Sequence, residues 1–438
     1  MAKKEKRGRG IATRAIHGSK TEDKVEVKGP CSKVPIFQTA NYRFPDVQTA
    51  ANIFAGKEEG YFYGRFGGLN ATIIEEKIAS LEGAEAGRMF SSGMAAISNT
   101  MIALFEKGDE IISCPTVYGC TDDLFSHFCP NKLGIKVHFV DLNDLENLKN
   151  AINKNTKAVF IESPANPTLE IFDIRLIAKV CKEHNLIFMI DNTFASPYNQ
   201  RPIEMGANIV FHSATKYLNG HSDVVAGAVV STKKIIAKVK ATAGLLGPSI
   251  GPFDAFLINR GLETFELRMQ RHNENTAKIA EFLSGHKMVS VVYYPGLATS
   301  GNRILALSQM KGCSGVLSFE LKGNMKMVEK LLNYLSDNTF IKLAVSLGST
   351  TTMIQCPALM THAAIPRAKR LEKGIADTMI RLAVGIENYE DIESAFKEAF
   401  KYLETQNGCA AHLRRSTRHI INTGRRLTKT QKKKRKNR

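Results

Sequence analysis

From about residue 75 the chain keeps a rhythm that few folds satisfy. Short β-branched or aromatic runs ("EIISCPTVY", "IKVHFVDL", "KAVFIESP", "LIFMIDNT", "ANIVFHSATK", "VVAGAVVST") alternate with helix-length amphipathic stretches such as "IRLIAKVCKEHN". Strands of this kind are covered on both faces, and the helices between them supply the crossovers of a parallel sheet. The rhythm predicts an α/β fold with a mostly parallel sheet over residues 61–265. It changes after "DAFLINRGLETFELRMQRHNENTAKIAEFLSGH", which reads as one long helix. Beyond it, "VSVVYYPG", "GVLSFEL", "FIKLAVSLG" and "MIRLAVGIE" are strands separated by longer helices, predicting a smaller C-terminal α+β domain over 266–405. Residues 1–60 lack periodicity and read as an N-terminal arm.

The net charge of +18 points to a nucleic-acid partner until it is located. Residues 409–438 hold twelve Lys/Arg and no acid, and residues 1–10 hold five against one Glu, so the body between them is nearly neutral. The stretch 406–438 is expected to be a disordered basic tail, because it has too few apolar groups to offset its ordering entropy. Five consecutive basic residues, Lys432 to Lys436, suit a polyanion such as RNA, DNA or an anionic membrane. No run approaches the roughly 18 apolar residues of a membrane helix, and the N-terminus has no apolar signal core, so no membrane span and a cytoplasmic location are expected. Eight scattered cysteines without a C-x-x-C argue against a disulfide framework and against a zinc site.

The chemistry gathers at strand exits, where α/β folds bind ligands. Asp191 in "FMIDNTFASP" ends one apolar run, and Lys216 in "FHSATKYLNGHSD" comes just after another. Pyridoxal 5'-phosphate needs such a pair: a lysine amine for the Schiff base, and a carboxylate that keeps the ring nitrogen protonated. Taken singly, a loop-capping aspartate and a solvated lysine are much the commoner explanation of the two residues, and it is the surrounding pattern that reverses this. A phosphate site should accompany them. In "FSSGMAAISNTMIALF", Ser92, Gly93 and Met94 open a helix whose N–H groups would face an anion. Alone, that stretch is also a plain helix cap. Ser213 and Thr215 add hydroxyls beside Lys216.

Together "VFHSATKYLNGHSDVVAG", "ESPANPT", "IDNTF", "SSGMAA", "VYGCT", "SLGS…PALMTH" and "IRLAVGIE" resemble the gamma-family of pyridoxal-phosphate enzymes of cysteine and methionine metabolism, in family order from about residue 11 to 405. The resemblance implies a fold type I subunit and a homotetramer built as a dimer of dimers. It makes Lys216 the Schiff-base lysine and Asp191 the partner of the ring nitrogen, with Ser92, Gly93, Met94, Ser213 and Thr215 on the phosphate. Tyr63 and Arg65 of "YGRF" match the pair that reaches the phosphate of the neighbouring subunit, a suitable task for a guanidinium. Tyr118 matches the ring-stacking tyrosine and general acid, and Asn166 the contact to the ring's phenolic oxygen. Arg381 matches the arginine that binds the substrate carboxylate, with Ser346 beside it; without the resemblance Arg381 reads as a surface arginine. One departure stands out. Where the family has Asn-Pro-Thr after this motif, the chain has Gly68-Leu69-Asn70, which loses the proline turn and loosens the loop.

The family's members differ in what happens after a group leaves Cγ. Cys120 of "YGCT" stands where synthases and cystathionine lyases usually carry glycine, and the segment after "SLG" lacks an acid. Both features resemble the methionine gamma-lyase branch, although a small buried hydrophobe is the commoner use of a free cysteine. The expected reaction takes a sulfur amino acid, L-methionine, to methanethiol, 2-oxobutanoate and ammonia, with Lys216, Tyr118, Asp191 and Cys120 as the catalytic set. Cystathionine gamma-lyase, cystathionine gamma-synthase and O-acetylhomoserine sulfhydrylase activities stay open, as does an inactive fold that binds nucleic acid through its tail.

Overall fold

The computed structural model describes residues 10–21, 31–363 and 365–406. The basic stretch 407–438, and with it the expected disorder and polyanion binding, lies outside the described residues.

Seven strands form the larger sheet: β1 (Ala86–Phe90), β2 (Glu110–Ser113), β3 (Lys136–Phe139), β4 (Thr156–Glu162), β5 (Ile187–Asp191), β6 (Ile209–Ser213) and β7 (Gly227–Ser231). Their order is β3-β2-β4-β5-β6-β7-β1. Strands β2 to β6 pair in parallel, and β7 runs antiparallel to both β6 and β1. The order reverses between β2 and β4, the kind of switch point at which such sheets bind ligands beyond their strand ends. The central strands are buried almost throughout, which is why they read as unbroken apolar runs. Helix Ile174–Glu183 shows the matching logic: Asp173 accepts from the Leu176 N–H at 3.0 Å to start it, and Ile174, Ile177, Ala178 and Cys181 turn one stripe inward.

A second sheet holds β8 (Val289–Tyr293), β9 (Val316–Leu321), β10 (Lys342–Leu343), β11 (Met353–Gln355) and β12 (Met379–Ala383) in the order β10-β11-β12-β9-β8. It has its own apolar core, centred on Leu317, Phe319, Ile354, Ile380 and Phe396. The run "FIKLAVSLG" contributes only a two-residue strand, and its second half is a loop in which Ser346 takes φ 87°.

The expected long helix is two helices, Pro252–Leu262 and Phe265–Ser284. Thr264 leaves helical geometry at φ −107°, ψ 11°, and the buried Arg268 fills the gap. Arg268 Nη2 donates to the Gly261 carbonyl at 2.7 Å, Nε to Thr264 Oγ1 at 3.2 Å, and Nη1 to the Tyr217 carbonyl at 2.8 Å. The break thus fastens the chain next to Lys216. The arm carries two short helices, Ile11–His17 and Val47–Phe54. Among the described residues no helix is long and apolar enough to cross a membrane, and no two cysteines are bridged.

Candidate active site

A cleft of about 350 Å³ opens at the C-terminal ends of β4, β5 and β6 and is closed on its far side by the 345–347 loop and by Arg381 of β12. It brings together Lys216, Asp191, Ser92, Gly93, Met94, Ser213, Thr215, Asn166, Tyr118, Ser346 and Arg381. Three other expected residues lie elsewhere. Cys120 is exposed and interacts with Tyr118 at the edge of the cleft. Tyr63 and Arg65 line a separate depression with Ser249 and Ile250, and Arg65 Nη1 donates to the Gly244 carbonyl of its own chain.

At one end of the cleft, helix Gly93–Leu104 begins with Ser92 as its cap, whose hydroxyl accepts from the Ala95 N–H at 3.0 Å. The N–H groups of Gly93 and Met94 lie in the first turn and have no carbonyl within the helix to bind. Close approach fixes them there. A Cβ on Gly227 would fall 2.1 Å from the Ser92 carbonyl oxygen, and one on Gly93 would fall 3.1 Å from Ser213 Cβ. Ser213 and Thr215 flank this helix end; Thr215 Oγ1 also accepts from Ala226 N–H at 2.9 Å. Free amides, hydroxyls and a helix terminus make a dianion cradle.

Asp191 ends β5 and is held by the Thr193 N–H, 2.9 Å from Oδ1. Burial raises its pKa, against the pull of Thr193, His212 and Lys216. Behind it, Glu82 Oε1 accepts from Asn192 Nδ2 at 2.8 Å and lies 2.6 Å from His212 Nε2, all three groups being buried. Lys216 Nζ donates to Ser346 Oγ at 2.7 Å. Burial, and then the nearby Arg381, lower this amine to about 8. A pyridine ring with phosphate at one end, a carbonyl within reach of an amine, and a ring nitrogen facing a carboxylate matches these donors, so the residues fit pyridoxal phosphate.

Arg381 is no surface arginine: it is 5% exposed. Its Nη1 donates to Asn166 Oδ1 at 3.0 Å and Nη2 to the Ser346 carbonyl at 2.8 Å. Gln355, in register with it on β11, has its side-chain amide 3.0 Å from the guanidinium, and because every guanidinium N–H is a donor, the amide oxygen is the atom that belongs on that side. Burial lowers Arg381 to about 10, which still leaves it charged at neutral pH. Asn166, its oxygen engaged, keeps its amide nitrogen for other partners. Tyr118 lies beyond the end of β2; burial and the neighbouring Cys120 push its hydroxyl up to about 12, so the protein by itself keeps it an acid and does not make it a base.

Sequence reasoning missed Glu162. It ends β4, lines the cleft, and accepts from the Tyr118 N–H at 2.7 Å and the Asn166 N–H at 3.0 Å. Burial, reinforced by Asp191, raises its pKa well above the usual carboxylate value. The only sequence signal was an acid at the end of an apolar strand, one strand over from Asp191.

Comparison with known proteins agrees with this geometry. A family profile described as Cys/Met metabolism PLP-dependent enzyme matches residues 12–401. The L-methionine gamma-lyase of Fusobacterium nucleatum is 44% identical over 386 residues, covering 87% of this chain and 96% of that protein. The cystathionine beta-lyase of Lactococcus lactis subsp. cremoris is 42% identical over 392 residues, covering 89% and 99%. The crystal structure of cystathionine gamma-lyase from Lactobacillus plantarum superposes with a TM-score of 0.83 at 38% identity, over 90% of this chain and all of that one. The chain belongs to the pyridoxal-phosphate-dependent enzymes of cysteine and methionine metabolism, with the type I fold of that group.

Proposed function

We propose that the chain is a carbon–sulfur lyase that converts L-methionine and water to methanethiol, 2-oxobutanoate and ammonia. The observation that carries this reading is the charge inventory of the cleft. Of the described residues lining it, only Lys216 and Arg381 are cations. With Lys216 assigned to the cofactor, the chain offers one cation for one α-carboxylate. The neighbouring wall, with Val345, Leu347 and Thr361, is apolar or neutral. A thioether ending in a methyl group suits that wall, whereas the second amino-acid head of cystathionine brings charges that need partners. The relatives support a lyase but carry both names at nearly equal identity, 44% and 42%.

Pyridoxal phosphate, when bound, supplies the electron sink that acidifies Cα–H and then Cβ–H. Arg381, fixed by Asn166 and Ser346, grips the carboxylate and sets which way Cα faces. The Lys216 amine would take the proton from Cα; in the protein alone it is lowered to about 8, close to neutral pH. Tyr118, protonated, gives its hydroxyl proton to the departing sulfur, and Cys120 shapes that side. Asp191 holds the ring-nitrogen proton in place. Tyr63 and Arg65 act on the phosphate of a partner subunit, which makes a dimer the smallest working form; the family resemblance extends it to a homotetramer, a dimer of dimers, and the cytoplasm is the proposed location. The tail 407–438 adds polyanion binding.

The test is product analysis with L-methionine, L-cystathionine and O-acetyl-L-homoserine offered separately. Methionine should lead in kcat/KM by roughly ten-fold or more, the least that an unpaired buried carboxylate exacts. Cys120→Gly should narrow that lead while leaving the visible cofactor absorbance intact. Faster turnover of cystathionine, or thiol replacement outrunning 2-oxobutanoate release, overturns the assignment.

A further inference from the structure

The segment that carries Tyr63 and Arg65 has lost the family's proline turn. In the structure Gly68 caps helix Leu69–Glu82 without a side-chain hydrogen bond, and Gly67 sits at φ 152°. Two consecutive glycines there leave the backbone free to wander. Backbone bonds from Phe66 N–H to the Tyr63 carbonyl and from Gly67 N–H to the Gly64 carbonyl, and the Tyr42 hydroxyl 3.4 Å from the Leu69 N–H, hold part of the stretch, and a buried arginine holds the rest. Arg88 of β1, 3% exposed, donates from Nη2 to the Arg65 carbonyl and from Nη1 to the Phe66 carbonyl, both at 3.2 Å. Its carboxylate partner is more distant: Glu75 Oε1 lies 3.4 Å from Nη1 and also accepts from the Met89 N–H at 3.0 Å. A buried guanidinium that spends both terminal nitrogens on two successive peptide carbonyls fixes the relative orientation of the two peptide planes that meet at Phe66, because its fork is rigid and planar. The first of those peptides begins at Arg65, whose guanidinium lies over the Phe66 ring at 4.6 Å.

We infer that Arg88 is a positioning residue for Arg65: its grip on the 65 and 66 carbonyls replaces the missing proline turn and sets the direction in which Arg65 is presented to the cofactor phosphate of a partner subunit. The inference rests on the reading of Arg65 as a phosphate ligand across the dimer. It also explains how Gly68-Leu69-Asn70 is tolerated. Asn70 is engaged elsewhere, its Oδ1 accepting from the Phe37 N–H at 2.8 Å and its Nδ2 donating to the Pro35 carbonyl at 2.9 Å, so it anchors the arm and leaves the turn to Arg88.

The test is a double-mutant cycle read by the dissociation constant of pyridoxal phosphate from the assembled protein, with the thermal midpoint measured in parallel. Arg65→Ala should raise the dissociation constant roughly ten-fold, the value of one charge-assisted contact. Arg88→Met should raise it by a comparable factor, and by no further factor in the Arg65→Ala background. Rebuilding the turn with Gly68→Asn and Leu69→Pro, an asparagine cap before proline at the first helical position, should recover affinity in Arg88→Met but not in Arg65→Ala. If Arg88→Met does not fold, Arg88→Lys enters the same cycle, since a single ammonium cannot fork across two carbonyls. Equal weakening by Arg88→Met in both backgrounds, or a fall in thermal midpoint with unchanged cofactor affinity, overturns the inference. An Arg65→Ala protein with unchanged affinity removes the shared-site reading instead, and the role of Arg88 with it.

Discussion

Glu162→Gln is the sharpest probe of the site because it keeps the shape of the side chain and alters only what its two terminal atoms can accept. Both Glu162 oxygens receive backbone N–H groups, from Tyr118 at 2.7 Å and from Asn166 at 3.0 Å. An amide has one oxygen and one NH₂, so in either orientation one of these donors meets another donor. Glu162 is buried, and water cannot repair the mismatch. An unpaired buried N–H costs roughly 1–3 kcal/mol, relieved here by displacing Tyr118 or Asn166. If that displacement is felt in the transition state, kcat/KM for methionine falls roughly 5- to 150-fold at about 1.36 kcal/mol per decade. Burial and Asp191 raise the carboxyl's pKa above the usual carboxylate value, which reduces the charge difference between it and glutamine and leaves acceptor geometry as the main change. Glu162→Asp keeps two acceptor oxygens on a shorter stem and should lose activity by a smaller factor. Steady-state kinetics, with visible absorbance confirming bound cofactor, decides the matter. A Glu162→Gln enzyme within about two-fold of the parent kcat/KM refutes the reasoning, since an acceptor worth even 1 kcal/mol would show.

The Lys216 amine, lowered from 10.5 to about 8, makes capture of added pyridoxal phosphate by the cofactor-free protein pH-dependent: the rate should rise about ten-fold per unit below pH 8 and then level, whereas a continued rise to pH 10 would contradict the burial argument. The linkage sign is that of a cation depressed on folding. The unfolded lysine binds a proton the folded one lacks between about 8 and 10.5, so its penalty on the cofactor-free fold is full below pH 8 and fades across that window. Removing residues 407–438 should leave methionine turnover unchanged and abolish polyanion binding. In the full chain, a tail meeting roughly 6–10 phosphates should lose on the order of 10³–10⁵ in affinity between about 50 and 200 mM salt. Salt-sensitive binding by the truncated chain would exclude the tail as its source.

What the sequence revealed was local. The motif around Lys216, the strand end at Asp191 and the helix start at Ser92 are each contiguous, and each lies where a buried strand gives way to a loop, so apolar runs were enough to find them. What it hid depends on distant partners. Glu162 takes its meaning from an N–H 44 positions away, and Glu82 from a histidine 130 positions away; neither spacing leaves a pattern in the chain. The break at Thr264 was missed for the same reason, because a side chain one turn later satisfies the interrupted carbonyl at Gly261 and no proline marks the spot. Without the resemblance Arg381 reads as exposed, and the cause is simpler. On a five-residue strand an arginine among apolar neighbours looks like an outward position, yet every residue of β12 is buried, because the strand lies inside its sheet with the cleft beyond its edge.

That placement links the two sheets through one residue. Ser346 accepts from Lys216 Nζ through its hydroxyl at 2.7 Å and from Arg381 Nη2 through its carbonyl at 2.8 Å, so the amine of the larger sheet and the guanidinium of the smaller one share a single support. The support is stiff. Ser346 is held at φ 87°, a region costly for any residue but glycine, and Gly348 packs so closely that a Cβ there would lie 2.7 Å from the Tyr217 nitrogen. On the proposed reading, a substrate amine that takes the place of Lys216 frees the Ser346 hydroxyl, while the Ser346 carbonyl keeps Arg381 aimed at the carboxylate through the guanidinium's remaining N–H groups. Under the proposed function, selection for an α-amino acid would begin at this support before the side chain is sensed, and Tyr118, Cys120 and the neutral wall at Val345 and Thr361 would distinguish one sulfur compound from another.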